Sequence, residues 1–166
     1  MKGVPLGGRD LEDNGFAVRG VIEGFYGKPW THKQRLDLLE FMEGLGYNFF
    51  VYAPKDDPYH RAWWDRLYPD ERMGRVQELV ESCSQRNVKF SYCIAPGLSI
   101  VYSSDKHVDA LYNKLNQLYQ AGVKHFGILF DDVPRTMNEQ DQKAFPSLAT
   151  AQAHVANEIA KRMRAL

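Results

Sequence analysis

Apolar positions along this chain follow two alternating patterns. Short runs rich in β-branched and aromatic residues, Ala17 to Glu23, Asn48 to Ala53, Val88 to Ala95 and Val123 to Phe130, read as strands. Between and after them apolar residues recur three and four apart, the mark of a helix with one buried face. The first stripe is Leu36, Leu39 and Met42, introduced by Thr31 and Gln34 at capping-box spacing and closed by Gly44 and Gly46. The second is Met73, Val76, Leu79 and Cys83, and the third is Val108, Leu111, Leu115 and Leu118, stopping at Gly122. Ala153, Ala156, Ile159 and Met163 make the fourth. Residues 1–16, with Gly3, Gly7, Gly8 and Gly15 among scattered charges, show neither period and read as a flexible leader, which leaves 17–166 as the expected folded domain.

Strand–helix units in succession predict an α/β fold with a parallel sheet, because parallel neighbours need a helix-length crossover between them. Two architectures share that plan. A doubly wound sheet carries a Gly-rich phosphate loop after its first strand, whereas here each strand ends in a different polar or small-residue cluster. The clusters are Glu23-Gly24, Ala53-Pro54-Lys55-Asp56-Asp57, Ala95-Pro96-Gly97 and Asp131-Asp132. Such clusters at the carboxyl end of every strand are the layout of a (β/α)8 TIM barrel, of which only about the first four βα units are present here. An open half-barrel exposes strand edges and apolar helix faces, so the chain is expected to be a fragment or to self-associate.

Composition narrows the function. The 166 residues are 44% hydrophobic and 25% charged, enough for one core, and 21 Lys and Arg balance 21 Asp and Glu. A neutral chain is not drawn onto nucleic acid or anionic lipid by its overall field. Its apolar runs are far shorter than the roughly 20 residues a spanning helix needs, and no signal-like stretch opens the sequence, so a cytoplasmic location is expected. Cys83 and Cys93 lack neighbours at zinc-site spacing and read as buried thiols.

Chemistry gathers at the strand ends. Asp131 and Asp132 follow the apolar run Gly127-Ile128-Leu129-Phe130, which places two carboxylates side by side where a buried strand opens onto a loop. Like charges this close pull their protonation apart, leaving one acid and one anion for acid/base work. Three other readings stay open. One Asp caps the next segment while the other is solvated; or the run is a Walker B strand, although Gly24 to Lys28 has the wrong spacing for its phosphate loop and Pro29 follows; or Asp56 or Asp57 joins the pair around Mg²⁺. Gly24-Phe25-Tyr26-Gly27 is a tight turn or a place where backbone approaches a ligand. Lys55 is a solvated ion-pair partner or a site residue, and Trp30, Trp63 and Trp64 are core filler or stacking platforms. His60, His107 and His125 show no pairing and read as structural or exposed.

Taken together, the runs Gly20-Val21-Ile22-Glu23-Gly24-Phe25-Tyr26-Gly27-Lys28-Pro29-Trp30, Tyr52-Ala53-Pro54-Lys55-Asp56-Asp57 and Leu129-Phe130-Asp131-Asp132 resemble the signature blocks of glycoside hydrolase family 84. That family holds O-GlcNAcases and bacterial β-N-acetylglucosaminidases. The blocks stand in the family's order and spacing, Ile94-Ala95-Pro96-Gly97-Leu98 agrees too, and the likeness covers about residues 19–160.

The resemblance implies a retaining hydrolase of β-linked N-acetylglucosamine on a (β/α)8 barrel. The substrate's own acetamido oxygen would attack the anomeric carbon and form an oxazoline, so no enzyme nucleophile is needed. By family position Asp131 would polarise the acetamido N–H, and Asp132 would protonate the leaving oxygen and later deprotonate water. Gly24 and Lys55 would bind sugar hydroxyls and Tyr26 would line the pocket. No metal or organic cofactor is implied, and the expected partner is a glycoprotein or glycan bearing N-acetylglucosamine. The rest of the family's pocket comes from the second half of the barrel. The competing expectation is a module that holds the sugar at the same residues without turnover.

Overall fold

The computed structural model describes residues 16–166, so the expected leader lies outside the described residues apart from Phe16. Four strands, β1 (Gly20–Glu23), β2 (Phe49–Tyr52), β3 (Lys89–Ile94) and β4 (His125–Ile128), form one sheet in the order β1-β2-β3-β4. Every neighbouring pair is parallel. Each connection is helical: α1 (His32–Gly44), α2 (Asp70–Gln85) and α3 (Asp105–Gln120) return the chain between strands, and α4 (Glu139–Ala144) and α5 (Leu148–Met163) follow β4. The α/β class and the plan of four barrel-type units are thus observed.

The register explains the core. Phe50 stands opposite Phe90 and Tyr52 opposite Tyr92, so their rings share one face of the sheet. That face meets Leu39 and Met42 of α1, Val76, Leu79 and Cys83 of α2, and Leu111, Leu115 and Leu118 of α3, all buried. The opposite face is poorly covered: Ile22 is 56% exposed and Phe49 and Val51 are half-buried. Apolar surface is also left on the helices and along β4. Phe41 of α1 is 63% exposed, and a 540 Å³ groove lined by Leu115, Phe126, Ile128, Ala156 and Met163 follows β4.

The start of α1 matches its sequence signal in detail. Gln34 donates its backbone N–H to Thr31 Oγ1 at 3.2 Å while Gln34 Oε1 accepts the Thr31 N–H at 2.8 Å. Other expectations need correction. The strands are shorter than the apolar runs, since pairing ends where the partner strand ends; β1 begins only at Gly20 and β4 stops at Ile128. In α5 the buried stripe is Ala151, Val155 and Ile159, a spacing of four, and Ala153 is exposed. The α4 helix went unforeseen because its six residues carry no apolar stripe; Asn138 caps it, and Asp141 inside it is buried, accepting the Tyr102 and Ser103 N–H groups at 3.0 and 2.8 Å. Cys83 and Cys93 are buried free thiols, and burial pushes Cys83 up to about 12.

Candidate active site

The parallel sheet brings the carboxyl ends of all four strands to one end of the molecule, and the residues after β1, β2 and β4 meet there. Lys55 leaves β2 through Ala53-Pro54, and its N–H bonds to Phe25 O at 3.3 Å, which ties the β2–α2 connection to the turn after β1. Gly24 sits half-buried at the head of that turn. The Lys55 side chain is only 5% exposed; its ammonium donates to Asp131 Oδ2 and lies 3.8 Å from Asp132 Oδ2. It is therefore a buried ion-pair partner of the acids and not a solvated one. Tyr26 donates its hydroxyl to Asp132 Oδ2 at 2.7 Å, which closes the cluster.

The two carboxylates differ in their partners. Asp131 is held below the usual carboxylate range, first by the Lys55 hydrogen bond, which outweighs its partial burial. Asp131 is therefore held as an anion. Asp132 adopts a left-handed backbone, with φ of +52°, unusual for a residue with a side chain. Its hydrogen bond raises the Tyr26 phenol above its ordinary value, burial adds to this, and the Arg61 guanidinium opposes it. Val133, the next residue, fits because position 97 is glycine: a Cβ there would stand 2.2 Å from Val133 Cγ1.

The residues beside Lys55 have other duties. Asp56 accepts the Gly27 N–H at 2.8 Å. Asp57 is buried and accepts from the Tyr52 and Tyr68 hydroxyls, the Tyr59 N–H and Arg72. Neither joins Asp131 and Asp132 in a ligand set, and among the described residues no three His, Cys, Asp or Glu side chains gather as one. Trp64 is core, donating its indole N–H to Ser99 Oγ at 2.9 Å, and Trp30 packs edge-on against Phe25. Trp63 is 41% exposed and lies against Tyr59 and Arg66.

His60 is structural but less ordinary than its sequence suggests. It is fully buried, with Nδ1 on Cys93 O at 2.6 Å and Nε2 without a partner among the described residues, so burial lowers it to about 4 and keeps it neutral. His107 accepts the Val101 N–H, and His125 lies against Phe49. Two residues near the site were given no role by the sequence. Glu23, buried at the end of β1, pairs with Arg35 at 2.7 Å, and Arg61 donates to the Asp132 main-chain carbonyl at 3.1 Å.

Comparison with known proteins agrees with this fold. The family described as beta-N-acetylglucosaminidase matches residues 19–166. The O-GlcNAcases of Rattus norvegicus and Mus musculus are each 40% identical over 140 residues, covering 84% of this chain and 15% of theirs. A mutant O-GlcNAc hydrolase of Thermobaculum terrenum superposes with a TM-score of 0.88 at 41% identity, covering 90% of this chain and 33% of that one. CpGH84B gives a TM-score of 0.77 at 36% identity, over 89% of this chain and 25% of its own. The chain spans a third or less of each of these relatives. Among the described residues no helix is long and apolar enough to cross a membrane. Motif, fold and relatives converge, and the chain belongs to the β-N-acetylglucosaminidases of glycoside hydrolase family 84.

Proposed function

We propose that this chain carries the acid/base pair of a retaining, substrate-assisted β-N-acetylglucosaminidase acting on glycoproteins or glycans. The observation that carries the proposal is the unequal setting of two adjacent carboxylates, one bound to a buried lysine and the other to a tyrosine hydroxyl. Asp131, kept anionic by Lys55, accepts the acetamido N–H and offsets positive charge as the acetamido oxygen bonds to the anomeric carbon. Asp132 gives its proton to the departing glycosidic oxygen as that bond breaks. Water then attacks the anomeric carbon of the oxazoline, passes its proton to Asp132 and restores the acetamido group, so the anomeric configuration is retained. Lys55 and Gly24 bind sugar hydroxyls, Tyr26 borders the pocket, and neither metal nor organic cofactor takes part.

The uncovered sheet face and edges are covered, in this proposal, by further barrel units or by a second copy of the chain. A cytoplasmic setting is supported by the two cysteines standing as free thiols.

The test is hydrolysis of an aryl N-acetyl-β-glucosaminide against the matching aryl β-glucoside, with Asp132→Asn alongside. Turnover should need the acetamido group and fall at least about 100-fold in Asp132→Asn. Equal rates on both glycosides, or full activity in the variant, would overturn the mechanism. Sugar binding with no turnover of either substrate would favour the non-catalytic module.

A further inference from the structure

Arg61 belongs to no motif and to no role assigned above, yet it makes two contacts within the site. Its guanidinium donates to the main-chain carbonyl of Asp132 at 3.1 Å and lies 5.2 Å above the centre of the Tyr26 ring. Tyr26 in turn donates to the Asp132 carboxylate at 2.7 Å. One side chain therefore grips the backbone of Asp132 and, through a stacked ring, the hydroxyl that orients its carboxylate.

The grip is rigid because of the neighbouring residue. His60 is fully buried, its Nδ1–H bonds to Cys93 O at 2.6 Å, and its own carbonyl accepts the Ala95 N–H at 2.9 Å. That fastens residue 60 to the end of β3 on two sides, and the Arg61 N–H bonds to Pro58 O at 3.3 Å. The backbone of Arg61 is thereby anchored before its side chain reaches the site. What it holds needs holding: Asp132 sits in the left-handed region, which persists in a non-glycine residue when its surroundings over-determine it.

We propose that Arg61 is the positioning residue for Asp132, fixing the strained backbone and, through the Tyr26 ring, the direction of the carboxylate. The inference rests on the role proposed for Asp132, but its first test does not need turnover. Tyr26 reports the geometry through its phenol, which is raised by its hydrogen bond to Asp132 and lowered by the nearby guanidinium. The two effects give opposite predictions. If Arg61 holds the pair together, Arg61→Met breaks the Tyr26–Asp132 hydrogen bond and the phenol titrates lower than in the wild type. If Arg61 is only a neighbouring charge, its loss moves the phenol higher.

The measurement is a pH titration of the chain labelled with ¹³C at tyrosine Cζ, the Tyr26 signal being assigned with Tyr26→Phe. Arg61→Lys, which keeps the charge without the planar fork, should also shift Tyr26 downward, at least as far as Arg61→Met does where the hydrogen bond is lost, because its charge still lowers the phenol. An upward or absent shift in Arg61→Met, with the remaining tyrosine signals unmoved, overturns the proposal. In the active enzyme the same substitution should lower kcat about 10- to 100-fold with KM little changed. A downward phenol shift with unchanged kcat would leave Arg61 as the positioner and discard the acid/base role of Asp132.

Discussion

At the scale of single residues the site is governed by one buried cation. Lys55, 5% exposed, has both carboxylates of the pair within 4 Å, and its hydrogen bond is the main reason Asp131 stays ionised. A carboxyl depressed below its unfolded value of 3.8 contributes stability that is present above that pH and is lost as pH falls through the folded value. Replacing Lys55 by Met removes the bond but leaves the partial burial, which acts upward. Asp131 in Lys55→Met should therefore titrate higher than in the wild type, readable by carbon-detected NMR, and N-acetylglucosamine affinity near neutral pH should fall about 10- to 100-fold. An unmoved Asp131 midpoint would show that Lys55 is not what holds it. The Asp pair, Lys55 and Tyr26 were all legible in the sequence because each follows a strand within a recognisable block. Arg61 was not: its contact with Asp132 spans 71 residues, and no local pattern marks an arginine whose target lies in a loop after another strand.

Elements obey the same division between local and distant causes. The α1 capping box was readable because donor and acceptor are three residues apart, whereas the ends of β1 and β4 depend on strands elsewhere in the chain. The buried face of α5 was misplaced for a related reason, since several alanines offer more than one stripe and only packing against α3 chooses among them. Glycine makes the contrast measurable. At Gly20 in β1 a Cβ would fall 1.8 Å from Phe49 O, a backbone atom of the paired strand, so Gly20→Ala forces β1 and β2 apart. It should destabilise the fold by more than about 2 kcal/mol. Gly44, at the end of α1, has open space where its Cβ would go, so Gly44→Ala should stabilise by about 0.5 kcal/mol or more. Urea unfolding of the two variants checks the pair, and equal effects would refute the close approach of β1 to β2.

For the whole molecule, stability should follow pH through two buried groups that flank the β2–α2 connection. His60 fastens it to β3, and Lys114 of α3 fastens it from the other side, donating to Arg66 O at 2.5 Å and lying 3.8 Å above the Tyr68 ring. Burial lowers His60 to about 4, while the unfolded imidazole titrates at 6.5. The unfolded chain then binds more protons between these values, so the contribution of His60 is complete above 6.5 and drains away as pH falls toward 4. Burial also lowers Lys114, to about 7 against 10.5 unfolded, so its charged form burdens the fold below 7 and the burden lifts as pH rises through this window. Tyr52, Tyr68 and Tyr92 set the upper limit: burial raises all three, and above 10.0 the unfolded phenols ionise first, which draws the chain toward unfolding. Maximum stability should accordingly lie on the alkaline side of neutrality, and urea midpoints from pH 4 to pH 10.5 would locate it. Lys114→Met should be at least as stable as the wild type at pH 6 and should flatten the rise above pH 7, while leaving the acid limb set by His60 in place. Parallel curves for the two proteins above pH 7 would mean that the buried ammonium does not titrate there.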